Sequence, residues 1–88
     1  MQLANSATIH RLLLIKNGQQ LFGVVLAHSE QSMQPWVTWE VFTNPDDPTD
    51  QRLHCVSGNY YCTYSEAANN FYERKQNYEL VREEVAHV

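Results

Sequence analysis

The sequence has 88 residues, of which 43% are hydrophobic and 18% are charged, with only three Gly and three Pro. This length and composition predict a single globular domain over residues 1–88 and exclude a disordered or low-complexity chain. Ten acidic and six basic side chains give a formal charge of −4. That is the wrong sign for holding nucleic acid by its phosphates, so no direct nucleic-acid binding is expected.

The first predicted element is a β-hairpin around Asn17-Gly18, because a two-residue type I′ turn needs φ > 0 at both central positions and Asn-Gly provides it. Its strands are residues 9–16 and 19–27, and a turn of this length sets Leu14 opposite Leu21. One face then carries His10, Leu12, Leu14, Leu21 and Val25, and the other carries Ile9, Arg11, Leu13, Ile15, Phe22, Val24 and Leu26. Both faces are apolar, so either could form the core.

Two further strands are predicted after a polar loop. Residues 36–43 are rich in the β-branched and aromatic side chains that favour strands. Alternation places Val37, Trp39 and Val41 on one face and Trp36, Thr38, Glu40 and Phe42 on the other. A turn-rich acidic loop, residues 44–50, leads to a strand predicted at about residues 52–62, in which Gly58 indicates a bulge or a tight bend.

A helix is predicted after the fourth strand. The segment Thr63-Tyr64-Ser65-Glu66 is typical of a capping box, which predicts a helix from Tyr64 to about Asn77. Residues 79–88 are compatible with helix, strand or tail. The predicted fold class is therefore α+β: a four-stranded antiparallel sheet followed by one C-terminal helix (ββββα), with strong curling of the sheet as a variant.

One helix covers only one face of a sheet, yet the first hairpin is apolar on both faces. A second cover is therefore expected: a second copy of the chain, a different protein, curling of the sheet into a small barrel, or the C-terminal tail folded back. A homodimer is favoured among these. The expected interaction residues are Leu12, Leu14, Leu21 and Val25, joined by Trp36 and Phe42 if the third strand continues the same face.

Charge is distributed unevenly along the chain. Up to His28 there are two basic residues and no acid, whereas from Ser29 onward there are four basic residues and ten acids. We therefore expect a non-enzymatic protein-binding module or small regulatory protein that acts through an apolar sheet face and an acidic helix. An alternative is a mobile-element inhibitor of the anti-defence type, whose acidic surface occupies a basic nucleic-acid-binding groove.

Catalytic and metal-binding patterns are weak. The potential metal ligands are His10, His28, His54, Cys55, Cys62 and His87. They show no CxxC or HxxxH spacing, so no metal and no cofactor is expected. A small thiol- or metal-dependent enzyme is a further alternative, with Cys62 near the helix N-terminus as nucleophile and His54 as base. No third orienting group or oxyanion hole is recognisable, so the chain is expected not to be an enzyme.

The compartment is predicted from the cysteines and the N-terminal segment. Two cysteines are too few for a disulfide scaffold, and no basic segment precedes an apolar stretch as in a secretory signal. The longest uncharged apolar run, residues 21–28, is far shorter than the ~20 residues that a membrane span needs. A cytoplasmic protein with reduced thiols and no membrane contact is expected.

The segments WVTWEVF and SGNYYCTYSEAANNFYER resemble small uncharacterised bacterial proteins, some of them carried on plasmids and phages. The match consists of a Trp-bearing strand, a Gly-containing strand that ends in paired aromatics, and a short helix of the form S-E-A-x-x-x-F-x-x-R. It is carried by Trp39, Gly58, Tyr60, Tyr61, Ala67, Phe71 and Arg74. The resemblance implies a sheet-plus-helix fold and no established activity, and it transfers no functional residue.

Overall fold

A computed structural model describes the backbone of residues 2–86 and the side chains of residues 2–78. The elements are β1 (Thr8–Asn17), β2 (Gln20–His28), β3 (Trp36–Phe42), β4 (His54–Tyr61) and α1 (Tyr64–Ala86). The strands form one antiparallel sheet in the order β1-β2-β3-β4. The α+β fold of four strands and a C-terminal helix is thus confirmed, and the sheet stays open, with β1 and β4 at its two edges.

The first hairpin turns at Gly18-Gln19, one residue later than predicted. Asn17 pairs with Gln20 across the turn, and Gly18 has a φ of 63° whereas Gln19 does not have a positive φ. This is the type II′ pattern, in which only the first central residue needs Gly. The pairing consequently moves by two residues, so that Leu14 lies opposite Gly23. A two-residue shift preserves which side chains share a face.

A bulge in β1 corrects the predicted faces at the start of the hairpin. Ile9 pairs with Ala27 and Arg11 pairs with Leu26, which leaves His10 as an extra residue. Ile9 therefore packs with Leu12 and Leu14, although alternation placed it on the opposite face. His10 instead reaches the helix side of the sheet.

The helix side of the sheet has a small buried core, formed by Val24 and Leu26 of β2 against Ala67 and Phe71 of α1. The predicted cap is present, because the Glu66 amide donates to the Thr63 hydroxyl at 3.3 Å. The helix continues past Asn77 to Ala86, so residues 79–86 are helical, while residues 87 and 88 lie outside the described part of the chain. Among the described residues, no helix is both long and apolar enough to cross a membrane.

The other face of the sheet is covered in part by the N-terminal segment, which none of the expected covers included. Leu3 forms an isolated parallel bridge with Leu53. Leu53 makes two hydrogen bonds with the neighbours of Leu3, accepting from Ala4 N at 2.8 Å and donating to Gln2 O at 2.9 Å. Leu3 and Leu53 are completely buried over the apolar cluster Val25, Ala27, Val37, Trp39 and Val41. Both faces therefore hold core residues.

Candidate interaction surface

β1 is one of the two edge strands of the sheet. Residues 11–17 pair with β2 in unbroken register. In a two-residue hairpin the closing pair exchanges hydrogen bonds, and bonded and non-bonded positions then alternate along the strand. Leu12, Leu14 and Lys16 therefore direct their N–H and C=O groups away from β2. We call this row, the outward side of residues 11–17, the β1 edge.

The side chains of the β1 edge are apolar in the middle and charged at both ends. Leu12, Leu13, Leu14 and Ile15 are consecutive and all half-buried, whereas Arg11 and Lys16 are exposed. Natural edge strands are usually protected by a central charge, a proline or a bulge. The middle of this edge has none of the three, and its only bulge lies at His10. It therefore has the features of a pairing site.

A groove of about 340 Å³ runs between the β1 edge and α1. Arg11 Nε donates to the Tyr64 hydroxyl at 2.8 Å, and its guanidinium carbon lies 5.6 Å from the centre of the Tyr72 ring. The hydrogen bond to Tyr64, followed by electrostatic interactions with Tyr64 and Tyr72, raises the pKa of Arg11 above its ordinary value. Arg11 is thus a permanent cation that two tyrosines hold beside the edge.

Four predicted interaction residues share the face opposite the helix, as expected from alternation. Leu12, Leu14 and Leu21 are half-buried there, and Leu12 and Leu14 pack against the cluster under Leu3 and Leu53. Val25, by contrast, is completely buried. Val25 is therefore a core residue that supports Leu12 from below, and it has no surface with which to meet a partner.

Trp36 and Phe42 do not join that face. Trp36 pairs with His28 and its ring lies 5.1 Å from Tyr64 of α1, and Phe42 lies opposite Phe22. Both are on the helix side, because alternation in β3 turns Val37, Trp39 and Val41 toward the other face. The condition under which they were expected to join Leu12 and Leu14, that the third strand continues the same face, is therefore not met.

A cluster of two histidines and a tryptophan forms beside the start of α1. The rings of His10 and His28 lie 4.8 and 4.7 Å from that of Trp36, and 6.2 Å from each other. Alternation placed His10 on the face of Leu12 and Leu14, and the bulge moves it to the helix side, next to His28 and Trp36. Within the described part of the chain, no three His, Cys, Asp or Glu residues are close enough to hold a metal ion.

The acidic loop before β4 is partly neutralised by its own neighbours. Asp50 accepts a hydrogen bond from Arg52 Nε at 3.0 Å and pairs with His54 Nε2 at 2.9 Å. The hydrogen bond from Arg52 and then that from His54 hold the pKa of Asp50 well below its usual range. The loop consequently presents less negative charge than its sequence indicates.

The cysteine and histidine considered for catalysis are not brought together. His54 begins β4 and Cys62 follows its last residue, so about 26 Å of strand separates them at ~3.3 Å per residue. Cys55 lies next to His54 but packs at the apolar cluster of the other face. Burial raises the pKa of the Cys55 thiol, which makes it a poor nucleophile.

No family model, no curated protein and no solved structure matches the chain. The resemblance to small plasmid and phage proteins therefore stays a prediction. The β1 edge and its surroundings are the features from which a function can be proposed. The sequence singled out the side chains of Leu12 and Leu14 but not the outward main-chain groups of their strand.

Proposed function

We propose that the chain is a non-catalytic protein-binding module that self-associates into a homodimer through the β1 edge. The observation that carries the proposal is an unbroken strand edge with four consecutive half-buried apolar residues at its centre. A row of outward N–H and C=O groups is complementary to another strand, and strand addition is a recurrent mode of protein recognition. Side chains on alternate faces of such an edge supply the apolar contact area.

A second copy of the chain fits this edge better than an unrelated strand. A strand is its own antiparallel complement about a two-fold axis, so an apolar centre meets an apolar centre and the two cationic residues of each copy lie outside it without facing each other. Pairing of the β1 edge with β4 of another copy would instead be head-to-tail and would build a ring or an open filament rather than a dimer with a two-fold axis. We place this dimer in the cytoplasm, because both cysteines are free and a reducing compartment keeps thiols unpaired.

The test is the oligomeric state of an edge variant. In Leu14→Pro, the proline removes an outward N–H while leaving the hydrogen bonds to β2 in place, a position where edge strands tolerate proline. We expect a dimer for the wild-type chain in sedimentation equilibrium. Loss of the two hydrogen bonds at this position should weaken Leu14→Pro dimers by about 2 kcal/mol, or about thirtyfold.

Two further variants keep this test decisive. Leu14→Lys sets like charges against each other at the dimer axis without removing a main-chain donor. It replaces Leu14→Pro in the test if circular dichroism shows that the proline variant is unfolded. Val56→Lys is the matched control, since Val56 is an exposed apolar residue of the other edge strand. A monomeric wild-type chain at high concentration, or a Leu14→Lys variant that dimerises as well as Val56→Lys, would refute the proposal.

A further inference from the structure

We infer that two copies pair β1 against β1 in antiparallel orientation about a two-fold axis that passes through Leu14. The inference rests on the proposed function and specifies its partner surface residue by residue. Antiparallel pairing of two identical edge strands requires an axis normal to the sheet. Each side chain then keeps its face, so both α1 helices lie on the same side of one continuous eight-stranded sheet.

The length of the regular stretch selects Leu14. Regular pairing in β1 is bounded by the bulge at His10 and by the turn at Gly18, and Leu14 is the middle of residues 11–17. An axis at Leu14 pairs this whole stretch. Leu12, Leu14 and Lys16 of each copy then supply the outward groups, which gives about six hydrogen bonds between the strands. An axis at Leu12 would bring both bulges into the ladder, and one at Leu13 would set Lys16 against a bulge.

The charges support the same register. With the axis at Leu14, Lys16 lies opposite Leu12 of the partner copy, and Arg11 lies opposite Asn17 of the partner copy. Leu14 meets itself, and Leu13 meets Ile15, so the centre is entirely apolar. An axis at Arg11 or at Lys16 would place like charges directly opposite each other, which destabilises a sheet.

Dimerisation also completes the groove beside α1. In one copy this groove has Arg11 and Leu13 on its sheet side and Phe71 and Tyr72 on its helix side. In the dimer the equivalent strand of the partner copy extends the groove floor. The two grooves then form one trough across the axis, lined by both copies.

The register is tested by cysteine cross-linking in a chain whose native thiols are replaced, Cys55→Ala with Cys62→Ser. In this background Leu14→Cys brings two thiols together at the axis. Hydrogen-bonded antiparallel partners have Cα atoms about 5.5 Å apart, which is within the range of an unstrained disulfide. We expect Leu14→Cys to convert the dimer to a disulfide-linked species under mild oxidation.

Leu13→Cys and Leu12→Cys are the matched controls, because strand geometry sets their Cα pairs at about 8 and about 14 Å, beyond disulfide reach. A dimer that cross-links at residue 12 or 13 and not at residue 14 overturns the register and leaves the proposed function intact. A dimer that cross-links at none of the three positions shows that copies meet elsewhere, and this also overturns the inference. A monomeric background chain refutes the proposed function itself.

Discussion

The two edges of the sheet differ in how they are protected. In β4, Ser57 and Gly58 lie opposite the single residue Trp39, so the ladder with β3 is broken in mid-strand. Ser57 has a φ of 54°, and Arg74 of α1 donates to its carbonyl oxygen at 2.7 Å. The β1 edge has its bulge at one end and a regular apolar centre. The difference is that the β4 edge is interrupted by a bulge and bonded by α1, whereas residues 11–17 of the β1 edge carry neither feature.

The bulge in β4 is also fixed by packing. A Cβ atom on Gly58 would lie 2.7 Å from Trp39 Nε1, so only glycine lets the indole lie across the bulge. Trp39 in turn is almost completely buried in the cluster under Leu3 and Leu53. The protected edge is thus connected to the core of the second face, and a change there is expected to reduce stability before it affects association.

The largest expected effect is on the strand pair that builds the β1 edge. In Gly23→Ala the new Cβ would lie 1.8 Å from the Leu13 carbonyl oxygen, a clash that only movement of the main chain relieves. We expect a loss of about 3 kcal/mol or more in the free energy of unfolding by urea. Gly18→Ala is the control, because a Cβ there meets no atom within 4 Å and strains only the positive φ. Equal stabilities of the two variants would contradict the close approach of β1 and β2.

Gly58→Ala tests the protected edge in the same way. The contact with Trp39 must open, so we expect a loss of about 1–3 kcal/mol in urea unfolding. Sedimentation of this variant should still give a dimer, because β4 lies at the far side of the sheet. Dissociation without any loss of stability would show that β4, rather than the β1 edge, meets the partner.

Arg74→Met should have a smaller effect. It removes the hydrogen bond to the Ser57 carbonyl but also a guanidinium nitrogen, Nη1, that is buried without a hydrogen-bond partner. Removal of the unpaired Nη1 offsets only part of the lost hydrogen bond, so we expect a net loss of about 1 kcal/mol in the free energy of unfolding by urea. Amide exchange should become faster in β4 and stay unchanged in β1. Faster exchange in both strands would contradict the view that the Arg74 hydrogen bond stabilises β4 alone.

The smallest effect concerns the pH dependence of stability near β4. The folded-state pKa of Asp50 is lowered, so its stabilising contribution is complete above the unfolded value of about 3.9 and is lost as pH falls toward the folded pKa. Asp50→Asn should therefore unfold with a flatter pH dependence than the wild type below about pH 4. Parallel curves for the two proteins would show that Arg52 and His54 do not stabilise the Asp50 carboxylate.

Local sequence patterns predicted the strands and the helix. The cover of the second sheet face was not predicted, because it depends on a contact between distant segments. The Thr63 cap at the start of α1 and the alternation of β3 are short-range signals, and both are confirmed, although the Glu66 carboxylate accepts from the Thr63 hydroxyl rather than from the Thr63 amide of a full capping box. The turn frame was missed because Gly18 serves as the second central residue of a type I′ turn or the first of a type II′ turn. Leu3 and Leu53 are fifty positions apart, and no periodicity in the sequence connects them.

The burial of Val25 and the position of His10 have the same kind of cause. Val25 became a core residue because the N-terminal segment covers part of its face. His10 changed face because of a bulge that contains no glycine and therefore has no sequence signal. The shared face of Leu12 and Leu14 could be predicted because a two-residue change of the turn frame leaves the alternation of side chains unchanged.

Amide hydrogen exchange, followed by NMR at two protein concentrations, tests directly whether the β1 edge pairs with a second copy. The outward amides of Leu12, Leu14 and Lys16 have no partner in β2, and pairing with a second strand would protect them from exchange. We expect slow exchange of these three amides at high concentration and fast exchange on dilution, with the exchange of β4 amides unchanged. Fast exchange of all three at both concentrations would contradict it.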